Sequence, residues 1–268
     1  MNRFHAVALV SGLASFAAAA QSLDGGAAVS SDAGGGSTSF DAATAVASFD
    51  ALWKTRDSSE SLAAFGALST EALQKAPNDY DVLWRVARMK WWFADGEANA
   101  VKKRDLGKAG WDLAEKALKV KPGGGEAHYY VALNIGAFSQ AVGVFKALTM
   151  GLEPKFLDNL EAARKVNQAF DRHGFSTAKG RYWWELPWPM RNLGNAKEEL
   201  GNALRAQPEH LRVMVYLADV FLTDGDAKKA KEYNDAVLAG SVDYDPPEGR
   251  RMKAWAKAQA TKIAEALK

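Results

Sequence analysis

The chain has no cysteine, and histidine and proline are scarce, with four and eight residues among 268. The lack of cysteine excludes disulfides, thiolate metal sites, iron–sulfur clusters and a cysteine nucleophile. Beyond His5, the histidines His128, His173 and His210 lack the spacing of metal ligands, so they are interpreted as solvated or helix-capping residues. No P-loop, dinucleotide-binding glycine motif or nucleophile elbow is found. We therefore predict a protein that is not an enzyme and has no metal or cofactor.

The chain also lacks a large excess of charge of either sign, because it has 34 Lys and Arg and 32 Asp and Glu, with a net charge of +2. So small an excess predicts no nucleic-acid partner.

The first twenty residues have the layout of a secretory signal peptide. Arg3 precedes an apolar run over 6–20, which ends in four alanines before Gln21. We predict cleavage after about Ala20 and a periplasmic protein. Residues 21–39 are rich in Gly, Ser and Ala and predict a disordered linker. The folded domain is expected over 40–268.

From Phe40 onward the apolar spacing is helical and the same helix ending recurs. EALQKAP (Glu71–Pro77), KALKVKP (Lys116–Pro122) and NALRAQP (Asn202–Pro208) each place an Ala-Leu pair before a helix-stopping proline. Weaker copies end near Asn167 and Ser241. Five such endings, roughly 33 to 45 residues apart, predict an all-α fold. The architecture expected is a tetratricopeptide-like solenoid of helical hairpins with about four to five degenerate repeats.

Three repeats are longer than the standard unit of about 34 residues. We place the surplus between the paired helices, at 91–103, 149–156 and 186–192, along one edge of the solenoid. Five tryptophans lie in or beside these segments, namely Trp91, Trp92, Trp183, Trp184 and Trp188. They either cap the ends of the helix pairs or form an aromatic rim on a cavity.

The most apolar stretch of the folded part is VALNIGAFSQAVGVFKALTMG, residues 131–151. Its polar residues Asn134, Gln140 and Lys146 argue against a membrane span. The stretch is either a helix buried at the centre of the solenoid or, with Phe138 and Phe145, the wall of an apolar pocket. A basic amphipathic segment at 248–268 is interpreted as a capping helix, with contact to an anionic membrane as the alternative.

Three segments carry a family resemblance, namely EAHYYVALNIGAF, VGVFKALTMGLEPKFLDNLEAARKVN and GRYWWELPWP. Over about residues 45–242 the chain resembles the T-components of TRAP transporters, the TatT-like proteins. The resemblance implies an exported, non-enzymatic tetratricopeptide protein that associates with the periplasmic substrate-binding protein of a transporter. It also implies a pore suited to a hydrophobic ligand and a trimeric assembly. The chain departs from lipid-anchored members because it has no cysteine at the cleavage point.

The sequence thus predicts an exported helical-repeat protein that binds a small hydrophobic ligand. Its predicted ligand-binding residues are Tyr129, Tyr130, Asn134, Phe138, Phe145, Trp183, Trp184 and Trp188. The alternative is a periplasmic protein–protein scaffold with a peptide-binding concave groove near Arg85, Arg88 and Arg212. A closed apolar tunnel would favour the first hypothesis, and an open polar groove the second.

Overall fold

The computed structural model describes residues 40–268, which form twelve α-helices and no β-strand. The predicted signal peptide (1–20) and linker (21–39) lie outside the described residues. The helices are α1 (Ala42–Trp53), α2 (Ser59–Lys75), α3 (Tyr80–Gly96), α4 (Ala100–Val120), α5 (Gly125–Val142), α6 (Val144–Thr149), α7 (Leu152–Val166), α8 (Phe170–Glu185), α9 (Leu193–Ala206), α10 (Leu211–Thr223), α11 (Ala227–Ala239) and α12 (Pro246–Ala266). Within this range, no helix combines the length and hydropathy needed to cross a bilayer.

In each helical pair, the recurring sequence ending coincides with the end of the second helix. Helices α2, α4 and α9 end at Lys75, Val120 and Ala206, each two residues before a proline. The weaker copies correspond to the ends of α7 at Val166 and α11 at Ala239. The prediction of an all-α, tetratricopeptide-like repeat solenoid is confirmed.

Neighbouring helices pack as five antiparallel hairpins. The pairs are α1 with α2, α3 with α4, α5 with α7, α8 with α9, and α10 with α11. Helix α12 packs on α10 and α11, at the place where the sequence predicts a capping helix, and it buries Met252, Ala256 and Ile263. Side-chain caps start many of the helices, because an acceptor satisfies backbone N–H groups of the first turn that have no helical partner. The capping residues are Asp41, Ser58, Asp79, Asn99, Asn192, Asp226 and Asp245.

The surplus residues of the longer repeats are mostly helical. Residues 91–103 extend α3 to Gly96 and open α4 from Ala100, so that these helices are longer than standard ones. Residues 149–156 join the short helix α6 to α7, and only 186–192 form a loop. The surplus segments expected at 91–103 and 149–156 are thus largely helical. For 91–103 the reason is that the apolar spacing at Val86, Met89 and Trp92 continues to the end of α3.

The apolar stretch 131–151 is two helices rather than one. Gly143, between α5 and α6, has φ +93° and ψ +128°, a conformation that essentially only glycine adopts. The break turns α6 away from the axis of α5. The long buried helix that the apolar run suggests is therefore interrupted where the chain has no Cβ.

Some glycines lie where two helices approach each other closely, either within one hairpin or between neighbouring hairpins. A Cβ on Gly110 of α4 would stand 2.1 Å from Asn134 Oδ1, which belongs to the first helix of the next hairpin. Gly110 therefore allows close contact between neighbouring hairpins rather than within its own pair. Gly180 does serve a crossing within a pair, since its Cβ would stand 2.5 Å from Leu200 of α9.

The two ends of the solenoid meet through arginine side chains. Arg56, between α1 and α2, donates to Asp245 at 2.8 Å, and Arg250 of α12 pairs with Asp57 at 2.6 Å. Arg251 of α12 donates to Asp95 of α3 at 3.1 Å and to the Trp92 carbonyl. The concave side of the solenoid is consequently bridged between its first and last helices.

Candidate functional site

A cavity of about 170 Å³ lies on the bridged concave side and is partly open to solvent. It is lined from α1, α3, α5, α6, α7, α8, α10 and α12, together with the segments before α2 and α12. A cavity of this size is comparable with one of about 150 Å³ that holds a benzene molecule. It therefore suits a small molecule rather than a long lipid.

One wall of the cavity is apolar. Leu133 and Ala137 come from α5, Val144 and Leu148 from α6, and Phe156 from α7. Gly136 on the same face of α5 leaves free space, because the nearest atom to a Cβ there, on Phe156, would be 3.7 Å away. The break at Gly143 brings α6 into this wall.

The opposite end of the cavity is charged and centres on Arg212. Its guanidinium donates to both carboxylate oxygens of Asp95, at 3.0 and 2.8 Å, and to both oxygens of Glu248. Burial acts to raise the carboxyl pKa values, but Arg212 and Arg251 outweigh it and lower the pKa of Asp95 to about 2. Arg212 likewise lowers the pKa of Glu248 against the effect of burial. All these groups are ionised near neutral pH.

Arg56 lies beside this cluster and is only 2% exposed. Its guanidinium carbon lies 4.0 Å from the ring centre of Trp53 and 4.2 Å from that of Trp92, a double cation–π arrangement. Nη2 donates to Asp245, whereas Nε has no hydrogen-bond partner in the described part of the chain.

The start of α8 supplies two further charged groups to the cavity. Asp171, Arg172 and His173 have φ of 49°, 57° and 62°, a left-handed turn of three non-glycine residues. Asp171 accepts a hydrogen bond of 2.7 Å from the Tyr129 hydroxyl, and burial raises its pKa. The Arg172 guanidinium stacks at 3.8 Å on the ring of Tyr244.

His210 is the buried titratable group of the cavity wall. It precedes α10, is 6% exposed and has no hydrogen-bond partner for Nδ1 among the residues described. Burial, assisted by the positive charge of Arg172, lowers its pKa to about 4. The interpretation of this histidine as solvated is wrong, and although it occupies the N-cap position its side chain makes no capping hydrogen bond.

Of the predicted ligand-binding residues, Tyr129 lines the cavity, whereas Tyr130, Asn134 and Phe138 belong to the core. Tyr130 stacks on Trp84, and Asn134 donates to the carbonyls of Ala87 and Tyr130. These three side chains point between the hairpins, toward α3 and α4, where packing rather than a ligand fills the space.

The other predicted aromatic residues lie outside the cavity. Phe145 is 71% exposed and Trp188 is 87% exposed. The predictions that Phe145 forms a pocket wall and that Trp188 forms an aromatic rim on the cavity are therefore wrong. Trp183 packs on Tyr182, and Trp184 donates to Thr223 at 2.8 Å.

The arginines predicted to bind a partner peptide are engaged within the chain. Arg85 and Arg88 both donate to Asp50, at 2.8 and 2.9 Å. Arg212 is 5% exposed and enclosed by Asp95 and Glu248. The structure thus corrects the predicted open groove near these residues, since their guanidinium groups already have carboxylate partners.

Sequence reasoning missed the polar end of the cavity, apart from Arg212. Asp95, Asp171, Arg172 and Glu248 carry no local motif, and they meet only because distant helices come together. Within residues 40–268 no group of His, Asp and Glu is arranged to hold a metal ion.

The comparisons with known proteins agree with this architecture. The family model of the regulators of microtubule dynamics, proteins 1–3, matches residues 45–171. A thermophilic tetratricopeptide protein of Thermus thermophilus is similar in structure, with a TM-score of 0.56 and 16% identity. The similarity covers 82% of this chain and 98% of that protein. The fold is that of tetratricopeptide repeats. No curated protein matches the sequence.

Proposed function

We propose that the chain is an exported helical-repeat protein that binds a small, largely apolar molecule in its central cavity. The observation that carries the proposal is the bridged concave side, where an apolar wall from α5, α6 and α7 faces a charged end. Tetratricopeptide solenoids commonly use the concave side for binding. Here arginine bridges between the first and last helices narrow it to a cavity of small-molecule size.

The transport role is the finer part of the same proposal. The resemblance to TRAP T-components supports a periplasmic location, a substrate-binding protein as partner and a homo-oligomer, a trimer in that family. Exposed Phe145 and Trp188 are available for such contacts. Co-purification with a tagged substrate-binding protein of the same organism tests the partner.

A general protein–protein scaffold is the alternative. The helical-repeat fold supports it, because such folds often present a binding surface to other proteins. The carboxylate partners of Arg85, Arg88 and Arg212 argue against these arginines as its peptide contacts.

The ligand hypothesis is tested by filling the cavity. Gly136→Leu adds a side chain to the apolar wall at a position where a Cβ meets only ordinary contact. Native mass spectrometry and solvent extraction of the purified wild-type protein should reveal a co-purified small molecule, and the variant should lack it. Gly66→Leu is the matched control, because Gly66 lies on the exposed face of α2 with nothing within 4 Å of a Cβ. No small molecule in the wild type, or equal amounts in both variants, would contradict the proposal.

A further inference from the structure

Three charged side chains of the cavity have no ionic partner in the described part of the chain, namely Glu153, Asp171 and Arg172. Glu153 of α7 accepts a hydrogen bond from the Tyr182 hydroxyl. Asp171 accepts a hydrogen bond only from the Tyr129 hydroxyl and makes no ion pair with any basic residue of the described range. Arg172 stacks on Tyr244 and makes no ion pair with any carboxylate in that range. The other arginines of the cavity are paired, Arg212 with Asp95 and Glu248, for example.

The backbone holds Asp171 and Arg172 in place at a cost. A left-handed conformation is strained for a non-glycine residue, and Asp171, Arg172 and His173 adopt it in succession. The next residue, Gly174, lies so close to Tyr129 that a Cβ would stand 2.0 Å from its hydroxyl oxygen. Strained turns persist where the surrounding structure fixes them, and they cluster at binding sites.

The charges at the start of α8 decide which ligand fits. Arg56, Arg181 and Arg212 are paired with carboxylates. The groups without an ionic partner are Glu153 on α7 and, adjacent to each other at the start of α8, the negative Asp171 and the positive Arg172. A ligand with a single charge would pair with one group and leave the other uncompensated in a partly buried site. A ligand with one ammonium and one carboxylate pairs with both. The exposed surface of Asp171 faces the cavity and is accessible to such a group.

The apolar wall and the size of the cavity select the rest of the ligand. Leu133, Val144, Leu148 and Phe156 offer no polar side-chain atom, so the body of the ligand is apolar. A cavity of about 170 Å³ holds a branched aliphatic side chain and is too small for the chains of a phospholipid.

We propose that the cavity binds a free α-amino acid with an apolar side chain, with its ammonium group on Asp171 and its carboxylate on Arg172. The inference rests on the proposed function, because it specifies the chemical class of the ligand in the same cavity. Tyr129 acts as a positioning residue, since its hydroxyl orients the Asp171 carboxylate.

The experiment compares three probes by isothermal titration calorimetry on the full chain. L-leucine has both charged groups, 4-methylpentanoate lacks the ammonium and 3-methylbutylamine lacks the carboxylate. We expect L-leucine to bind about tenfold or more tightly than either analogue, as expected for the loss of one charge-assisted hydrogen bond.

Two variants assign the groups. Asp171→Asn should weaken L-leucine about tenfold or more but spare 4-methylpentanoate, and Arg172→Gln should weaken L-leucine but spare 3-methylbutylamine. Asparagine suits the left-handed turn and still accepts from Tyr129. Asp112→Asn and Arg205→Gln, at exposed positions on α4 and α9, are the matched controls and should bind like the wild type. Circular dichroism verifies that each variant folds.

The outcomes separate the inference from the proposed function. If an analogue binds as tightly as L-leucine, or if both site variants bind L-leucine like the wild type, the amino-acid assignment is wrong. The comparison of co-purified molecules in the wild type and Gly136→Leu then decides the proposed function. If none of the three probes binds, the assignment is also wrong, and the co-purified molecule then decides the proposed function. If nothing binds and nothing co-purifies, both are wrong.

Discussion

At the scale of single residues, the cavity shows opposite effects of burial and charge on its titratable groups. Asp95 is buried between Arg212 and Arg251, which lower its pKa to about 2. His210 is buried next to positive charge, so its pKa falls to about 4. Both shifts make the folded protein sensitive to acid, because protonation of either group opposes the folded arrangement.

The His210 shift predicts a specific pH window of instability. The folded-state pKa of about 4 lies below the ordinary value of 6.5, so the unfolded chain takes up the proton first as the pH falls. The free energy of unfolding should therefore drop by up to about 3 kcal/mol between pH 6.5 and 4 through this residue. Urea unfolding at several pH values, followed by circular dichroism, measures the slope. His210→Gln should flatten it, and an unchanged slope in the variant would exclude this cause.

At the scale of helices, a single glycine determines the shape of the apolar wall. Gly143 ends α5 in a conformation closed to other residues, and α6 follows at once to contribute Val144 and Leu148 to the cavity. A Cβ at this position would meet nothing within 4 Å. Any effect of a substitution there must come from the backbone conformation.

Two glycine substitutions of opposite sign test this conclusion. Gly143→Ala should lower the free energy of unfolding by about 1–3 kcal/mol, because alanine at φ +93° is strained. Gly66→Ala, at an exposed position in the middle of α2, should raise it by up to about 1 kcal/mol through helix propensity. Guanidinium unfolding curves of both variants give the comparison. A neutral Gly143→Ala would mean that α5 and α6 can join into one helix.

The sequence allows the helical pairs to be predicted because their signals are local. An Ala-Leu pair and a following proline define three of the five endings within seven residues, as in Glu71–Pro77. The break at Gly143 and the turn at Asp171 are less visible. A glycine in an apolar run has several meanings, and a left-handed turn without glycine has only a weak residue signature, the enrichment of Asn, Asp and His. The charged end of the cavity is least predictable, since Asp95 and Arg212 are 117 residues apart.

At the scale of the whole molecule, long-range ion pairs hold the two ends of the solenoid together. Repeat proteins usually make contacts only between neighbouring repeats. Here Arg212, Arg250 and Arg251, in the last helices, bond to carboxylates of the first two hairpins. The cavity depends on this bridge, because Asp95, Arg56 and Asp245 belong both to the bridge and to the lining.

Removing one buried carboxylate should open the molecule. Asp95→Asn leaves Arg212 and Arg251 without their shared partner, and losing one member of a buried ion pair costs about 3–5 kcal/mol. Asp57→Asn breaks the bridge to Arg250, whose side chain is 56% exposed, and an exposed pair costs about 1 kcal/mol or less. Urea unfolding measures the loss of stability, and small-angle X-ray scattering of the folded variants measures the radius of gyration. We expect a larger radius for Asp95→Asn only. If that variant stays as compact and as stable as Asp57→Asn, the buried network at Asp95 does not close the solenoid.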